Sequence, residues 1–318
     1  MIRLGIIGAG AIVPYHIEAA MLAGFEPIAI CGRENSTRAQ RLSADFPKME
    51  YCQSVEELLK VDFDAILIAS SPEASVSLLK RCLVKNIPIL VEKPVTFSIS
   101  EIAELEKLDT SRVLVGYNRR HYSSVIDFKS RIQSIDFGLI QVSIPELSWD
   151  PEPKLETREK FLFDNSTHIL DLVPYIFGPI EVVSNEKLFD KFGSKYCVAT
   201  FRAGEKFLGT ISLGYGTPEN FSIKCWSSGL NIELNPIELL NECEELEIIS
   251  ATPLRPIKEY KKKFLTHWKI DESDLKAKPG FFKQFQELKS LVTNIDFDRR
   301  SATLLDAKNA LLLASTLR

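Results

Sequence analysis

The chain lacks the features that assign a protein at a glance. Its six cysteines, Cys31, Cys52, Cys82, Cys197, Cys225 and Cys243, lie far apart with no CxxC pair. That excludes a disulfide scaffold and reads as reduced thiols filling buried apolar sites. Its four histidines, His16, His121, His168 and His267, are scattered without ligand spacing, which argues against a zinc enzyme. There is no basic excess either, since 39 Lys and Arg stand against 43 Asp and Glu for a net charge of −4. A nucleic-acid partner is thereby disfavoured. No apolar run approaches the roughly 18 residues of a membrane span, and the N-terminus has no basic stretch leading into a long apolar one. The expectation is a cytoplasmic protein with neither membrane nor nucleic acid as partner.

What is present is ordinary for a globular protein: 318 residues, 45% hydrophobic and 26% charged, enough for two domains. In the first part, short β-branched runs alternate with helical patterns. "IRLGIIG" (2–8), "EPIAICGR", "DAILIAS" (64–70), "PILVEKP" and "RVLVGYN" (112–118) read as buried strands. Helices such as "YHIEAAMLAG" and "EASVSLLKRCLVKN" separate them. This rhythm predicts right-handed βαβ units around a parallel sheet. After about residue 120 the pattern becomes strand-like with partial alternation, as in "GLIQVSIPELSW", "KYCVATFRA" and "KFLGTISLGYG". That suits an antiparallel sheet with one covered face. Helices return at 280–292 and 301–317, and the Lys-rich segment 254–278 reads as a long excursion. The expected fold is α/β: a doubly wound domain over 1–119, then an α+β domain over 120–318 with a large, mainly antiparallel, open-faced sheet.

"GIIGAGAIV" (5–13) follows the first strand and opens a helix. In a βαβ unit, Gly8 permits the tight turn and Gly10 lets the backbone approach a pyrophosphate at the helix N-terminus. A third glycine is missing, and Val13 in its place sets helix and strand slightly farther apart. The second strand ends in "CGREN", where NAD enzymes usually carry an acidic residue for the ribose hydroxyls. Gly32 removes that anion, and Arg33, with Ser36 and Arg38 nearby, suits a 2′-phosphate. NADP(H) is therefore favoured over NAD(H), although Glu34 remains as an acceptor for the ribose diol.

"VEKP" (91–94), "VGYNRR" (115–120) and "DNSTHILD" (164–171), taken with the glycine loop, form a set. On these motifs the chain resembles, over nearly its whole length, the glucose-fructose oxidoreductase/inositol 2-dehydrogenase (Gfo/Idh/MocA) family. Lys93 precedes Pro94, a bond at which a cis peptide is accessible and the backbone can turn the lysine into a cleft. Glu92 orients Lys93 or caps a helix. If a helix begins near Asn165, then Asp164, His168 and Asp171 share one face near its start. The resemblance implies that Lys93 and His168 handle a substrate proton while a hydride moves to or from nicotinamide. It implies that Asp164 and Asp171 position His168 and a substrate hydroxyl, and that Asn118 and Arg119 line the substrate side. It assigns the cofactor to Gly8, Gly10, Ala11, Ile12, Arg33, Arg38, Ser70, Ser71, Pro72, Glu92 and Lys93. In the second sheet apolar Val198, Phe207 and Ile211 read as an uncovered interface face, and the resemblance likewise implies a homodimer or homotetramer through that sheet, with a final helix (301–317) packed back on the first domain.

Three departures concern the substrate side more than the cofactor. Ser166 stands where the family has glycine two residues before its histidine. "TREKFLF" replaces a glycine-rich run, and "SSPEASV" replaces a Thr-Pro-Asn turn. The leading reading is an NAD(P)-dependent oxidoreductase acting on a secondary alcohol or ketone of a sugar, nucleotide-sugar or cyclitol. The alternatives are a reductase of a tetrapyrrole or dihydrodiol on the same scaffold, and a catalytically silent dinucleotide-binding regulator.

Overall fold

The computed structural model describes residues 1–146, 154–267, 272–295 and 298–318. Two compact units are present: Met1–Tyr122 with Asp271–Leu313, and Ser123–Ile270 with Ala314–Arg318.

The first unit alternates β1 (Ile2–Ile7), α1 (Val13–Leu22), β2 (Phe25–Cys31), α2 (Thr37–Asp45), β3 (Glu50–Cys52), α3 (Val55–Leu58), β4 (Ala65–Ile68), α4 (Pro72–Leu83), β5 (Ile89–Val91), α5 (Ile99–Leu105) and β6 (Val113–Val115). The strands form one parallel sheet in the order β3-β2-β1-β4-β5-β6. All residues of β4, β5 and β6 are buried, as parallel strands covered on both faces require. A core of Leu4, Ile6, Val13, Ile17, Ala65 and Leu67 is closed by Phe281, Phe285 and Leu288 from a helix far along the chain, Phe281–Thr293. Val13, the residue in place of the third glycine, is fully buried in that core. All six cysteines are buried, and burial pushes the thiols of Cys31, Cys82 and Cys225 up to about 12.

The second unit begins with α6 (Ser123–Gln133), β7 (Gly138–Glu146), α7 (Leu155–Asp164) and α8 (Thr167–Phe177). It continues with β8 (Ile180–Asp190), β9 (Gly193–Ala203), β10 (Phe207–Tyr215), β11 (Ser222–Ser227), β12 (Leu230–Leu234), β13 (Leu240–Ile249) and β14 (Glu259–His267). These strands make one sheet in the order β14-β13-β12-β11-β7-β10-β9-β8, in which the β7–β10 pair is parallel and the other described pairs are antiparallel. Alternation sets the faces. Ile140, Val142 and Ile144 are buried, α6 packs on β12 and β13 and α8 on β8, and Phe177 meets both Phe128 and Phe207 edge to face. The opposite face stays open and carries Leu139, Val198, Leu208 and Trp226. The chain closes with α9 (Glu272–Lys276), α10 (Phe281–Thr293) and α11 (Leu304–Leu317).

Two sequence readings differ from this arrangement. The Lys-rich segment 254–278 is not a structureless excursion, since 259–267 forms edge strand β14. There Lys263 and Lys261 stand opposite Glu245 and Glu247 of β13, so cross-strand charge pairing specifies the hairpin. Lysines on an edge also discourage further strand addition. The short helices α6 and α7 were not anticipated among the strand-like runs. Residues 147–149, the end of "GLIQVSIPELSW", lie outside the described residues.

Candidate active site

The parallel sheet brings its candidate residues together through register. Ile7 lies level with Cys31 on one side and Ile68 on the other, Ile68 with Val91, and Val91 with Val115. The next residues, Gly8, Gly32, Ala69, Glu92 and Gly116, therefore leave the sheet along one carboxyl edge. Backbone bonds of 2.8 Å continue the ladder, from Gly8 N to Cys31 O, Glu92 N to Ile68 O and Gly116 N to Val91 O. Strand order reverses between β1 and β4, the crevice in which doubly wound sheets bind ligands.

The two glycines of the loop differ in kind. Gly8 has φ +117°, and a Cβ there would lie 2.0 Å from Ala69 O, so the fold itself demands glycine. At Gly10 a Cβ would meet nothing nearer than Ala69 O at 4.0 Å. Protein packing does not require glycine there, and the space suits a ligand approaching the backbone. The helix termini agree. Serines cap α2, α3 and α5, with Ser36, Ser54 and Ser98 accepting from backbone N–H groups. Neither α1 nor α4, the helices that follow β1 and β4, has a side-chain cap, and α1 has no acidic residue in its first turn. The positive dipole end of α1 favours an anion, although Val13 N is bonded to Gly10 O, Pro14 and Pro72 carry no N–H, and α4 has Glu73 in its first turn. Ala11 is exposed and Ile12 half-buried at the α1 start; Ser70, Ser71 and Pro72 occupy the α4 start. Ser70 Oγ and Ser75 Oγ are hydrogen-bonded at 2.9 Å. The residues present thus fit a dinucleotide, its pyrophosphate at Gly10 and the α1 N-terminus.

At the end of β2, Gly32 has a reason apart from the cofactor. A Cβ there would fall 2.6 Å from Ser36 Oγ, the atom that caps α2. Arg33 and Arg38 are exposed beside it, and among the described residues neither forms an ion pair.

Beyond β5, the Lys93–Pro94 bond is cis. Lys93 is half-buried and its amide donates to Glu92 Oε2 at 3.1 Å. Glu92 Oε1 pairs with His16 Nε2 of α1 at 2.6 Å, a partner the sequence reading missed. Beyond β6, Asn118 is buried and donates through Nδ2 to Pro279 O at 3.0 Å. Arg119 follows, half-buried, in the same 3-10 turn, Asn118–His121.

In the second unit, Asp164, His168 and Asp171 do not share a helix. Asp164 ends α7, and α8 starts at Thr167, whose hydroxyl donates to Asp164 O at 2.7 Å. His168 and Asp171 are both buried, one turn apart on α8. Ser166 has a distinct partner, the buried Glu146 at the end of β7. Glu146 accepts from the Ser166 hydroxyl and, at 3.0 Å, from Asn165 Nδ2. Sequence reasoning missed Glu146 because a carboxylate closing an apolar strand carries no local signal.

The parallel-sheet unit is a dinucleotide-binding domain of the doubly wound class. Residues 2–117 match the Gfo/Idh/MocA "Oxidoreductase family, NAD-binding Rossmann fold", so over this domain the chain is similar to the Gfo/Idh/MocA oxidoreductases. It is similar to inositol 2-dehydrogenase of Corynebacterium glutamicum, 29% identical over 201 residues that cover 61% of this chain and 59% of that protein. The aligned stretch thus spans less than two thirds of that relative's length. Among solved structures, UDP-N-acetylglucosamine 3-dehydrogenase of Acidithiobacillus ferrooxidans shares the fold with TM-score 0.75 at 15% identity, covering 100% of this chain and 96% of that one. A myo-inositol dehydrogenase of Corynebacterium glutamicum shares it with TM-score 0.71 at 18% identity, covering 99% and 95%. Among the described residues, no helix is long and apolar enough to cross a membrane.

Proposed function

We propose that the chain is an NAD(P)-dependent dehydrogenase acting on a secondary hydroxyl of a cyclitol, sugar or nucleotide-sugar. The observation that carries this reading is one sheet edge. It joins two uncapped helix N-termini and the open space at Gly10 to Lys93, two residues past the end of β5. Bound nicotinamide supplies the hydride acceptor or donor. Lys93 and His168 take up or return the hydroxyl proton, Asp171 and Asp164 orient His168 and the hydroxyl, and Asn118 and Arg119 face the substrate. The substrate class follows the relatives' names, inositol and UDP-N-acetylglucosamine dehydrogenases.

NADP(H) is the preferred cofactor in this reading. Its support is now Arg33 with Arg38, because the Ser36 cap already accounts for Gly32. The protein assembles as a homodimer or homotetramer through the open face of the second sheet. The test of function is to denature the purified protein, identify the nucleotide released, and assay inositols and UDP-sugars with that nucleotide. Reduction of the cofactor by a member of this panel supports the reading. Bound nucleotide with no turnover of any panel member favours a silent dinucleotide-binding regulator.

A further inference from the structure

The first turn of α1 carries a buried histidine that the proposed mechanism does not use. His16 is fully buried, and its ring stacks on Phe281 with centroids 4.4 Å apart and planes at 17°. Phe285 meets it edge-on at 5.8 Å. Its Nδ1 is buried without a hydrogen-bond partner among the described residues. All of its polar bonding is directed through Nε2, at 2.6 Å, to Glu92 Oε1. A carboxylate accepts, so Nε2 carries the hydrogen.

Glu92 is held on three sides. His16 takes Oε1, the Lys93 amide donates to Oε2 at 3.1 Å, and β6 presses from behind at Gly116. A Cβ on Gly116 would lie 3.1 Å from both Cδ and Oε2 of Glu92, so the missing side chain makes room for the carboxylate. Glu92 is thus a bridge between the helix at whose N-terminus the pyrophosphate fits and the backbone of Lys93. Among the described residues His16 supplies the hydrogen bond to Oε1, and without it the carboxylate is free to rotate away from the Lys93 amide. Packing alone does not explain the residue, since an apolar ring would stack on Phe281 without burying a polar nitrogen that lacks a partner.

We propose that His16 is a positioning residue for Lys93, acting through Glu92 and tying the cofactor helix to the proton-handling turn. This inference rests on the reading of Lys93 as a group at the cofactor site. His16→Phe keeps the aromatic stack and removes the donor, whereas His16→Gln retains an N–H that reaches toward Glu92.

The experiment is competitive acetylation of the folded protein with acetic anhydride across pH. Lys93 labelling is followed by mass spectrometry with and without saturating NAD⁺. In the parent protein, NAD⁺ slows Lys93 labelling; absence of that protection defeats the Lys93 reading itself, and the inference with it. In His16→Phe, with NAD⁺ binding confirmed by titration, the protection is lost and the pH profile of Lys93 labelling shifts. In His16→Gln both return toward the parent. Parent-like labelling in His16→Phe, or equal loss in both variants, overturns the positioning role while leaving Lys93 at the site. Should His16→Phe fail to fold, Glu92→Leu takes its place. It removes the acceptor for the Lys93 amide, and the same loss of protection is expected, with parent-like labelling as the contrary result.

Discussion

Gly8 and Gly10 stand two residues apart and lack side chains for different reasons, which separates fold from function at single positions. An alanine at Gly8 meets Ala69 O and an unfavourable φ together, so Gly8→Ala should lower the melting temperature sharply. Gly10→Ala should leave melting unchanged while weakening NAD⁺ by about 1.5–3 kcal/mol, the range for a hydrogen bond to a charged group. Calorimetric unfolding and cofactor titration on both variants check the contrast. The second strand end makes a similar point. Its glycine was legible in the sequence, but its cause was not, because the clash with Ser36 depends on a helix cap formed in three dimensions. Arg33→Ala should weaken NADP(H) by about 1.5–3 kcal/mol and leave NAD(H) untouched. Equal losses for both cofactors would place Arg33 on a group the two share, and no loss for either would assign it to the solvent.

At the scale of elements, the start of α8 depends on Ser166. Its hydroxyl donates to Glu146, a carboxylate buried at the end of β7. Ser166→Ala removes that donor and should cost about 1–3 kcal/mol of stability, as for any buried acceptor deprived of a partner. Denaturant unfolding measures it. Ser166→Gly should cost no less. A second element is pinned by another buried group. His121 Nε2 lies 3.0 Å from Ser301 Oγ, and Glu287 accepts from the Ser301 and Arg300 amides and the Ser301 hydroxyl. Burial, with Arg300, Arg120 and Lys283 nearby, lowers His121 from 6.5 to about 3. Above 6.5 the imidazole is neutral in both states and its contribution is fully present. As pH falls from 6.5 toward 3, the unfolded chain takes a proton that the native state refuses, and stability is lost. Glu287, raised by burial, acts in the opposite direction, since the native state takes its proton first as pH falls. Comparing the parent with His121→Gln isolates the histidine: the parent's melting temperature should fall more steeply between about pH 7 and about pH 5. Parallel curves would show that His121 titrates normally in the native state.

Across the whole molecule, the sequence was most legible where one strand's pattern determines its own environment. Buried runs such as "AILI" and "ILV" gave the parallel sheet, and the GxG turn gave its ligand edge. It was least legible where partners lie far apart in the chain, as with His16 and Glu92, or Ser166 and Glu146. Alternation also hid which face is open. Val198, Phe207 and Ile211 all read as interface residues, yet only Val198 is exposed, at 47%, while Phe207 at 7% and Ile211 at 0% lie on the covered face. Val198 stands opposite Ser212 in register, and Ile211 opposite Ala199, so the two belong to opposite sides. If the open face is the assembly surface, Val198→Arg with Leu208→Arg should reduce the mass measured by light scattering to that of a monomer. An unchanged mass would locate the contact elsewhere. In the proposed reaction Lys93 moves the substrate proton during hydride transfer, and single-turnover reduction of bound NAD(P)⁺ by the substrate from the inositol and UDP-sugar panel tests this most directly. Lys93→Ala, folded and saturated with cofactor, should transfer hydride at least ~10²-fold more slowly than the parent, the usual contribution of a general acid–base group. Transfer at the parent rate in that variant would contradict it.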